Sequence, residues 1–319
     1  MKILAFDVDS ELLGRSQASL SDAIRMALYQ ADSELFEKLN YDDDVIFLEP
    51  TLFCYFLLDV NTADKTPLEQ CLLGYTSEAN RPASIALKAD RFGLVNLPNL
   101  GYLHANSNEV LRFSTQKIVL NTFLENSKIR LCLHPTDHLS YEEGITFDEP
   151  IEQTLQKNRE AIREATHFFQ TYLSEFWQAI ESVTREFVVF SSPPQRHSFA
   201  GIMQHGTAYF NVENKAQTPV FFIDDIAHQC GHVIFNALTL ETEKYLCVPK
   251  DQSLAGFIES PNEIRGVYGA FHGLFTYTTI LNSLDKVSDL KTEFENDLRH
   301  EVFGRMGFIF KNLALTFTA

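Results

Sequence analysis

The sequence predicts an α+β fold, mainly helical, in which a small antiparallel sheet lies beside a helix carrying two histidines. Three observations predict it. Long segments repeat apolar residues every three or four positions, the period of a helix with one buried face. Short apolar or alternating runs of strand length stand between them. Strands and helices do not alternate regularly, so the pattern of a parallel sheet wrapped by helices is missing.

Residues 1–13 read as a short strand and turn, and Ser19 to Asn40 as a helix with Leu20, Ile24, Leu28, Leu35 and Leu39 along one side. Leu52 to Val60 is an apolar run of strand length. Residues 62–115, rich in Asn, Pro and Gly, have no periodicity that organises them. Lys117 to Leu124 and Lys128 to His134 alternate around Asn126-Ser127, a hairpin pattern. Glu149 to Thr184 predicts one long helix opening at Pro150. Three strands follow, Glu186–Ser191, Ser198–Met203 and Thr207–Val212, the last two joined as a hairpin through Gln204-His205-Gly206. Pro219 starts the histidine helix, and a loop then runs to Pro261. Asn262 to Leu284 and a segment from Ser288 onward predict two further helices. These elements divide the chain into an α+β region over 1–145, of unassigned role, and a helical domain with a small sheet over 146–319.

The 319 residues, 45% of them hydrophobic, suffice for a large core. Against 43 Asp and Glu stand 26 Lys and Arg, a formal charge of −17. A field of that sign repels phosphate backbones and anionic lipid, so neither nucleic acid nor a membrane surface is an expected partner. The five cysteines are odd in number, scattered and flanked by apolar residues, the pattern of reduced core thiols. The opening Met-Lys-Ile-Leu-Ala-Phe-Asp meets a carboxylate too early for a secretory signal. No run reaches the roughly 18 apolar residues of a membrane span. Together these predict a cytoplasmic protein.

The chemistry concentrates in Asp224-Asp225-Ile226-Ala227-His228-Gln229-Cys230-Gly231-His232. Histidines at i and i+4 lie about 40° apart on a helix, close enough for both imidazoles to reach one cation. Asp224, Asp225, His228, Gln229, His232 and Asn236 share an arc of about 140°. An ordinary solvated face would carry Lys, Arg and Glu. This one carries short hydrogen-bonding side chains, which suit a lined cavity better. In the His-Glu-x-x-His pattern of metalloproteases the Glu activates zinc-bound water. Position 229 is Gln, which has no usable basicity, so ordinary zincin hydrolysis is disfavoured. Metal chemistry without an enzyme base at that position, such as iron-dependent oxidation, remains.

A third ligand is expected from the next helix. Read as continuous from Asn262, that helix places Arg265, Tyr268, His272, Thr276 and Thr279 on a stripe about 80° wide. His272 is therefore the expected third metal ligand after His228 and His232. Glu263 or Glu259 is the alternative, completing the two-His, one-carboxylate facial triad of non-haem iron oxygenases. Arg265, with Tyr268 on the same stripe, is read as the contact for the carboxylate of a 2-oxo acid cosubstrate. The plain alternatives are a salt bridge for Arg265 and a satisfied core position for His272.

The order of these features resembles a family. The long helix, the Phe187–Phe190 strand, Arg196-His197-Ser198-Phe199-Ala200-Gly201, Gly206-Thr207-Ala208-Tyr209-Phe210, the paired histidines followed by Asn236-Ala237-Leu238, and Gly266-Val267-Tyr268-Gly269-Ala270-Phe271 look like the HExxH-type proteins that modify ribosomally made peptides. The resemblance spans residues 150–285. It implies a peptide β-hydroxylase dependent on Fe(II) and 2-oxoglutarate, with zinc as the alternative metal, in a zincin-like arrangement of sheet and metal-bearing helix. It carries over His228 and His232 as ligands. Gln229 departs from the family's Glu, and Ser260-Pro261-Asn262-Glu263 departs from its approach to the following helix. The peptide is expected along an edge strand near 198–212, with Arg196, His197 and His205 beside the groove.

Three other readings stand beside this one. Ile3-Leu4-Ala5-Phe6-Asp7-Val8-Asp9 resembles the nucleophile strand of haloacid-dehalogenase-like phosphatases, which would use Asp7 with Mg²⁺. A degenerate, metal-free scaffold would only bind a peptide. His134 and His138 repeat the i, i+4 spacing, but Pro135 predicts a loop there, where the spacing loses its helical meaning.

Overall fold

The computed structural model describes residues 8–106, 109–112, 118–142, 145–146, 149–255, 265–290 and 296–317. The chain forms two compact units, each assembled from separated segments. One comprises Met1–Leu13, Asn158–Val183 and Ala216–Ala319, the other Gly14–Lys157 and Thr184–Lys215. A division near residue 145 falls inside the second of these.

Asp9 opens the first helix, α1 (Ser10–Ala31), where its Oδ1 accepts the amide N–H groups of Glu11 and Leu12, both at 3.0 Å. The helix expected over 19–40 thus starts earlier and stops sooner. Asp32 ends it by turning its side chain onto the Leu35 amide at 2.9 Å, which caps the short α2 (Ser33–Phe36) instead. The apolar teeth keep their predicted role: Leu20, Ile24, Leu28, Leu35 and Leu39 are buried in one cluster with Phe47, Leu52, Phe53 and Leu72. Into that cluster feed α3 (Asp44–Phe47), capped by Asp43, and α4 (Pro50–Leu57). The α4 segment was expected as a strand. It is apolar at nearly every position and so has no period to read, while Pro50 pre-sets the first helical φ.

After α5 (Leu68–Leu72) come the strands that periodicity had missed, β1 (Ser84–Leu87), β2 (Leu94–Leu97), β3 (Gly101–His104) and β4 (Glu109–Arg112). Each is only four residues long, too short to repeat a pattern. β1 pairs antiparallel with β4, and β2, β3 and β5 (Val119–Leu120) form a second antiparallel sheet. Gly74 lets this sheet close on α5, because a Cβ there would sit 2.0 Å from the Pro98 carbonyl oxygen.

The third sheet runs β6 (Thr122–Phe123), β7 (Arg130–Leu131), β8 (Glu186–Phe190) and β9 (Thr207–Asn211). β6 and β7 form the expected hairpin, with Asn126 at φ 53° in its turn. The rest corrects the antiparallel expectation: β7 pairs with β8, and β8 with β9, in parallel. All residues of β8 and β9 are buried, the condition in which parallel strands read as continuous apolar runs. The strand expected over Ser198–Met203 is absent. A single bridge joins Phe199 to Tyr209, and Ile202–Gln204 is a 3₁₀ turn.

A buried charge network ties this sheet to α4's approach. Arg130 reaches Glu49 through two guanidinium nitrogens (2.7 and 3.0 Å) and Glu186 through one (3.1 Å). Gln204 and Thr207 donate to the other Glu186 oxygen at 3.0 and 2.8 Å. Each buried carboxylate thus has the partners its desolvation requires.

The other unit is helical. The long helix expected from 149 is two, α7 (Ile151–Tyr172), whose first turns belong to the second unit, and α8 (Ser174–Val183). α9 (Pro219–Leu238) packs on α8, on α10 (Val267–Asp289) and on α11 (Asn296–Phe317). At the α9–α10 contact Gly231 permits close approach: a Cβ there would lie 3.0 Å from Thr279 Oγ1 and 3.4 Å from Thr276 Cγ2. Thr279 Oγ1 donates to the Ala227 carbonyl at 2.8 Å. Among the described residues no helix is long and apolar enough to cross a membrane.

Candidate metal centre

Thr218 fixes where α9 starts, its Oγ1 accepting the Phe221 amide at 3.1 Å with Pro219 at the first helical position. From that start the polar residues keep the arc that the sequence predicts, and along it they meet different neighbours. Asp224 binds Arg305 of α11 at 2.7 Å, and Glu301 holds the same guanidinium at 2.8 Å. Burial pushes the Asp224 carboxyl up, against the pull of Arg305. Asp225 and Gln229 are buried, and the Gln229 amide donates to Asp225 Oδ1 at 3.1 Å. The residue at the metalloprotease base position is therefore engaged with its own helix.

His228 and His232 are half-buried, with ring centroids 4.7 Å apart and planes inclined at 37°. α10 brings His272 to them: its Nε2 lies 2.5 Å from His232 Nδ1, one ring donating and the other accepting. The two rings meet nearly edge to face, at 4.1 Å and 79°. Phe235, one turn after His232 (i+3), stacks on His272 at 4.6 Å and 17°. Burial lowers the His232 pKa well below the ordinary value, helped by His228 and His272. Burial likewise lowers that of His272, to about 4. His232 thus has an imidazole on either side, His228 from its own helix and His272 from α10, and burial holds His232 and His272 neutral, the form that binds metal.

Neutral nitrogens suit a borderline divalent ion such as Zn²⁺ or Fe²⁺. Two nitrogens bound to one ion at about 2.0–2.1 Å, and at about 90–109° to each other, stand about 2.9–3.4 Å apart. His232 and His272 stand 2.5 Å apart, so to share an ion they would have to separate by up to about 1 Å and turn, the donor ring taking its other tautomer so that both nitrogens present lone pairs. As they stand, no group of three or more His, Cys, Asp or Glu among the described residues is arranged to hold an ion.

The other predicted positions separate. α10 begins at Val267, so Arg265 precedes the helix instead of sharing its stripe, and its carbonyl accepts the Leu254 amide at 3.0 Å. Tyr268 stays close, its ring 5.9 Å from His272 and its hydroxyl 2.8 Å from Thr239 Oγ1. Thr276 and Thr279 are fully buried against Gly231 and serve packing. Glu259, Glu263 and Asp7 lie outside the described residues. His205 is buried, its Nε2 accepting from Gln17 at 2.9 Å, and the Arg196 carbonyl accepts from Asn211 at 2.5 Å. His138 belongs to a short helix, α6 (Asp137–Tyr141), capped by Thr136 where a loop was expected. His134 instead meets Cys132 Sγ at 3.0 Å, while His138 packs on Phe199 and Tyr209, so that histidine pair does not converge.

Sequence reasoning missed Phe235 as the residue that orients His272, and the Glu301–Arg305 pair that covers Asp224. The i, i+4 spacing of the latter was a readable sign of a helical ion pair, though not of its target. Comparison with protein-family models and with curated proteins finds no match to this chain.

Proposed function

We propose that the protein is a metal-dependent enzyme whose ion is held by His228, His232 and His272. The observation supporting this reading is the pair of contacts that His232 makes, with His228 on α9 at 4.7 Å between ring centroids and with His272 on α10 through a 2.5 Å hydrogen bond. With Gln229 committed to Asp225, the site has no metalloprotease base, which favours chemistry in which the cofactor itself supplies reactivity. The reading is an Fe(II)- and 2-oxoglutarate-dependent oxygenase that hydroxylates a side-chain carbon of a peptide, in line with the family resemblance of residues 150–285. Iron with 2-oxoglutarate would supply the oxidant, so that O₂, the cosubstrate and a C–H bond become alcohol, succinate and CO₂. The chain's own part is to hold the ion, orient His272 through Phe235 and exclude water.

The peptide proposal does not require an edge strand near 198–212. There Phe199 and Tyr209 already exchange both main-chain hydrogen bonds, at 3.0 and 2.9 Å. A second metal would suit the same residues, since three imidazoles with a fourth position open also make a catalytic zinc arrangement. Metal analysis of protein purified without chelators, then anaerobic reconstitution with Fe(II), separates the readings. Oxygen uptake and succinate formation dependent on 2-oxoglutarate and a candidate peptide are expected. Tight zinc with no oxygen uptake transfers the site to the zinc reading, and no metal at all leaves a peptide-binding scaffold.

A further inference from the structure

The second unit contains a cavity of about 250 Å³ that the metal proposal does not use. It is smaller than the roughly 300–1,000 Å³ of pockets for drug-sized ligands, so its occupant is the size of a small metabolite. Its charges balance: Lys88 and Arg91 face Asp90 and Asp137 around the lining. Lys88 and Asp137 already pair at 3.5 Å, and Asp137 also accepts the Thr66 amide at 2.6 Å. The neighbours Asp90 and Arg91 supply the other two opposite charges of the lining.

Asp90 is prepared on one side only. Its Oδ1 accepts the Phe92 and Leu94 amides at 2.8 and 2.9 Å, which locks the turn that leads into β2. Its Oδ2 is buried without a hydrogen-bond partner among the described residues, and so are Thr51 Oγ1 and Gln204 Oε1 of the same lining. Buried oxygens of this kind are rare and ask for a donor. Burial raises the Asp90 pKa, against the opposing pull of the Leu94 and Phe92 amides, His104 and Arg91. Next to it in sequence, the exposed Arg91 carries a planar guanidinium over the Phe92 ring at 4.9 Å, and such a group suits a carboxylate.

We infer that this cavity binds a free α-amino acid as its zwitterion, the ammonium group directed to Asp90 and the carboxylate to Arg91. A ligand with several N–H donors and one carboxylate satisfies the unpartnered oxygens and leaves the charge balance intact. The site is independent of the histidine cluster and stands or falls without it.

The test uses the whole 319-residue chain and a panel of standard L-amino acids, by thermal shift and titration calorimetry. At least one is expected to bind with a dissociation constant below about 1 mM. Its N-acetyl derivative and its carboxamide, which mimic the two ends of a peptide, should bind at least about tenfold more weakly. Asp90→Asn keeps the turn-forming oxygen but removes the charge, and Arg91→Gln alters an exposed side chain. Both should weaken binding by a similar factor without changing the far-ultraviolet spectrum. Absence of binding by every amino acid up to about 10 mM overturns the inference, as does equal binding of the N-acetyl derivative or unchanged affinity in both variants.

Discussion

A half-buried imidazole must find a donor for one ring nitrogen and an acceptor for the other, and His232 meets half of that need through His272. Such a bond joins one N–H to one lone pair, so for both rings to bind an ion the donor takes its other tautomer and each nitrogen then offers a lone pair. His232→Ala and His272→Ala are therefore expected to lower affinity for Zn²⁺ or Fe²⁺ by roughly 100-fold or more, at least as much as loss of an outer-shell partner. Competition with a chromophoric chelator measures this, and wild-type affinity in both variants would remove the site. The cysteines make a second case at this scale. All five are free, as the sequence suggested, but Cys247 is exposed and the other four are buried. Burial pushes the Cys54 thiol up to about 12, where the thiolate needed for alkylation is scarce. Iodoacetamide on the native protein should thus modify Cys247 alone, and mass mapping that finds Cys54 or Cys71 labelled would contradict their burial.

At the scale of elements, what could be read depended on period. α9 was legible because Pro219, its apolar side and the histidine spacing agree, and its observed range is Pro219–Leu238. α4 was not, since a uniformly apolar run carries no phase, and four-residue strands such as β1 to β4 carry too few repeats. The parallel pairing of β8 with β9 was hidden for a related reason: burial on both faces erases the alternation that marks a half-exposed strand. The candidate site depends on how closely α9 and α10 approach, and Gly231 controls that distance. Gly231→Val would drive a side chain into Thr276 and Thr279, and should destabilise the protein by about 1–3 kcal/mol. The same shift separates His232 from His272, so metal affinity should fall together with the melting temperature. A stable variant with unaltered metal binding would show that Gly231 does not set the spacing.

For the whole molecule, buried neutral histidines make acid the natural denaturant. Burial lowers the pKa of His134 and of His205 from the ordinary 6.5 to about 3, with Arg130 and Arg185 respectively adding to the effect. Between those values the unfolded chain binds protons at both positions and the folded chain does not. Their stabilising contribution is complete above pH 6.5 and declines as pH falls towards 3, by about 1.4 kcal/mol per pH unit for each residue. Urea unfolding at pH 7.5, 5.5 and 4.5 should show the decline, and His205→Gln should remove one residue's share of the slope. Stability independent of pH over this range would mean that these rings are protonated when folded. The sequence by itself determined the acidic charge, the reduced cysteines, the leucine face of α1 and the histidine pair on α9, because each is set by composition or by spacing within one element. Only the tertiary structure decided that Asp224 meets Arg305, and that His272 rather than a described carboxylate stands beside His232. Those outcomes depend on where α10 and α11 cross α9, and residue spacing along one helix holds no information about the distance to another.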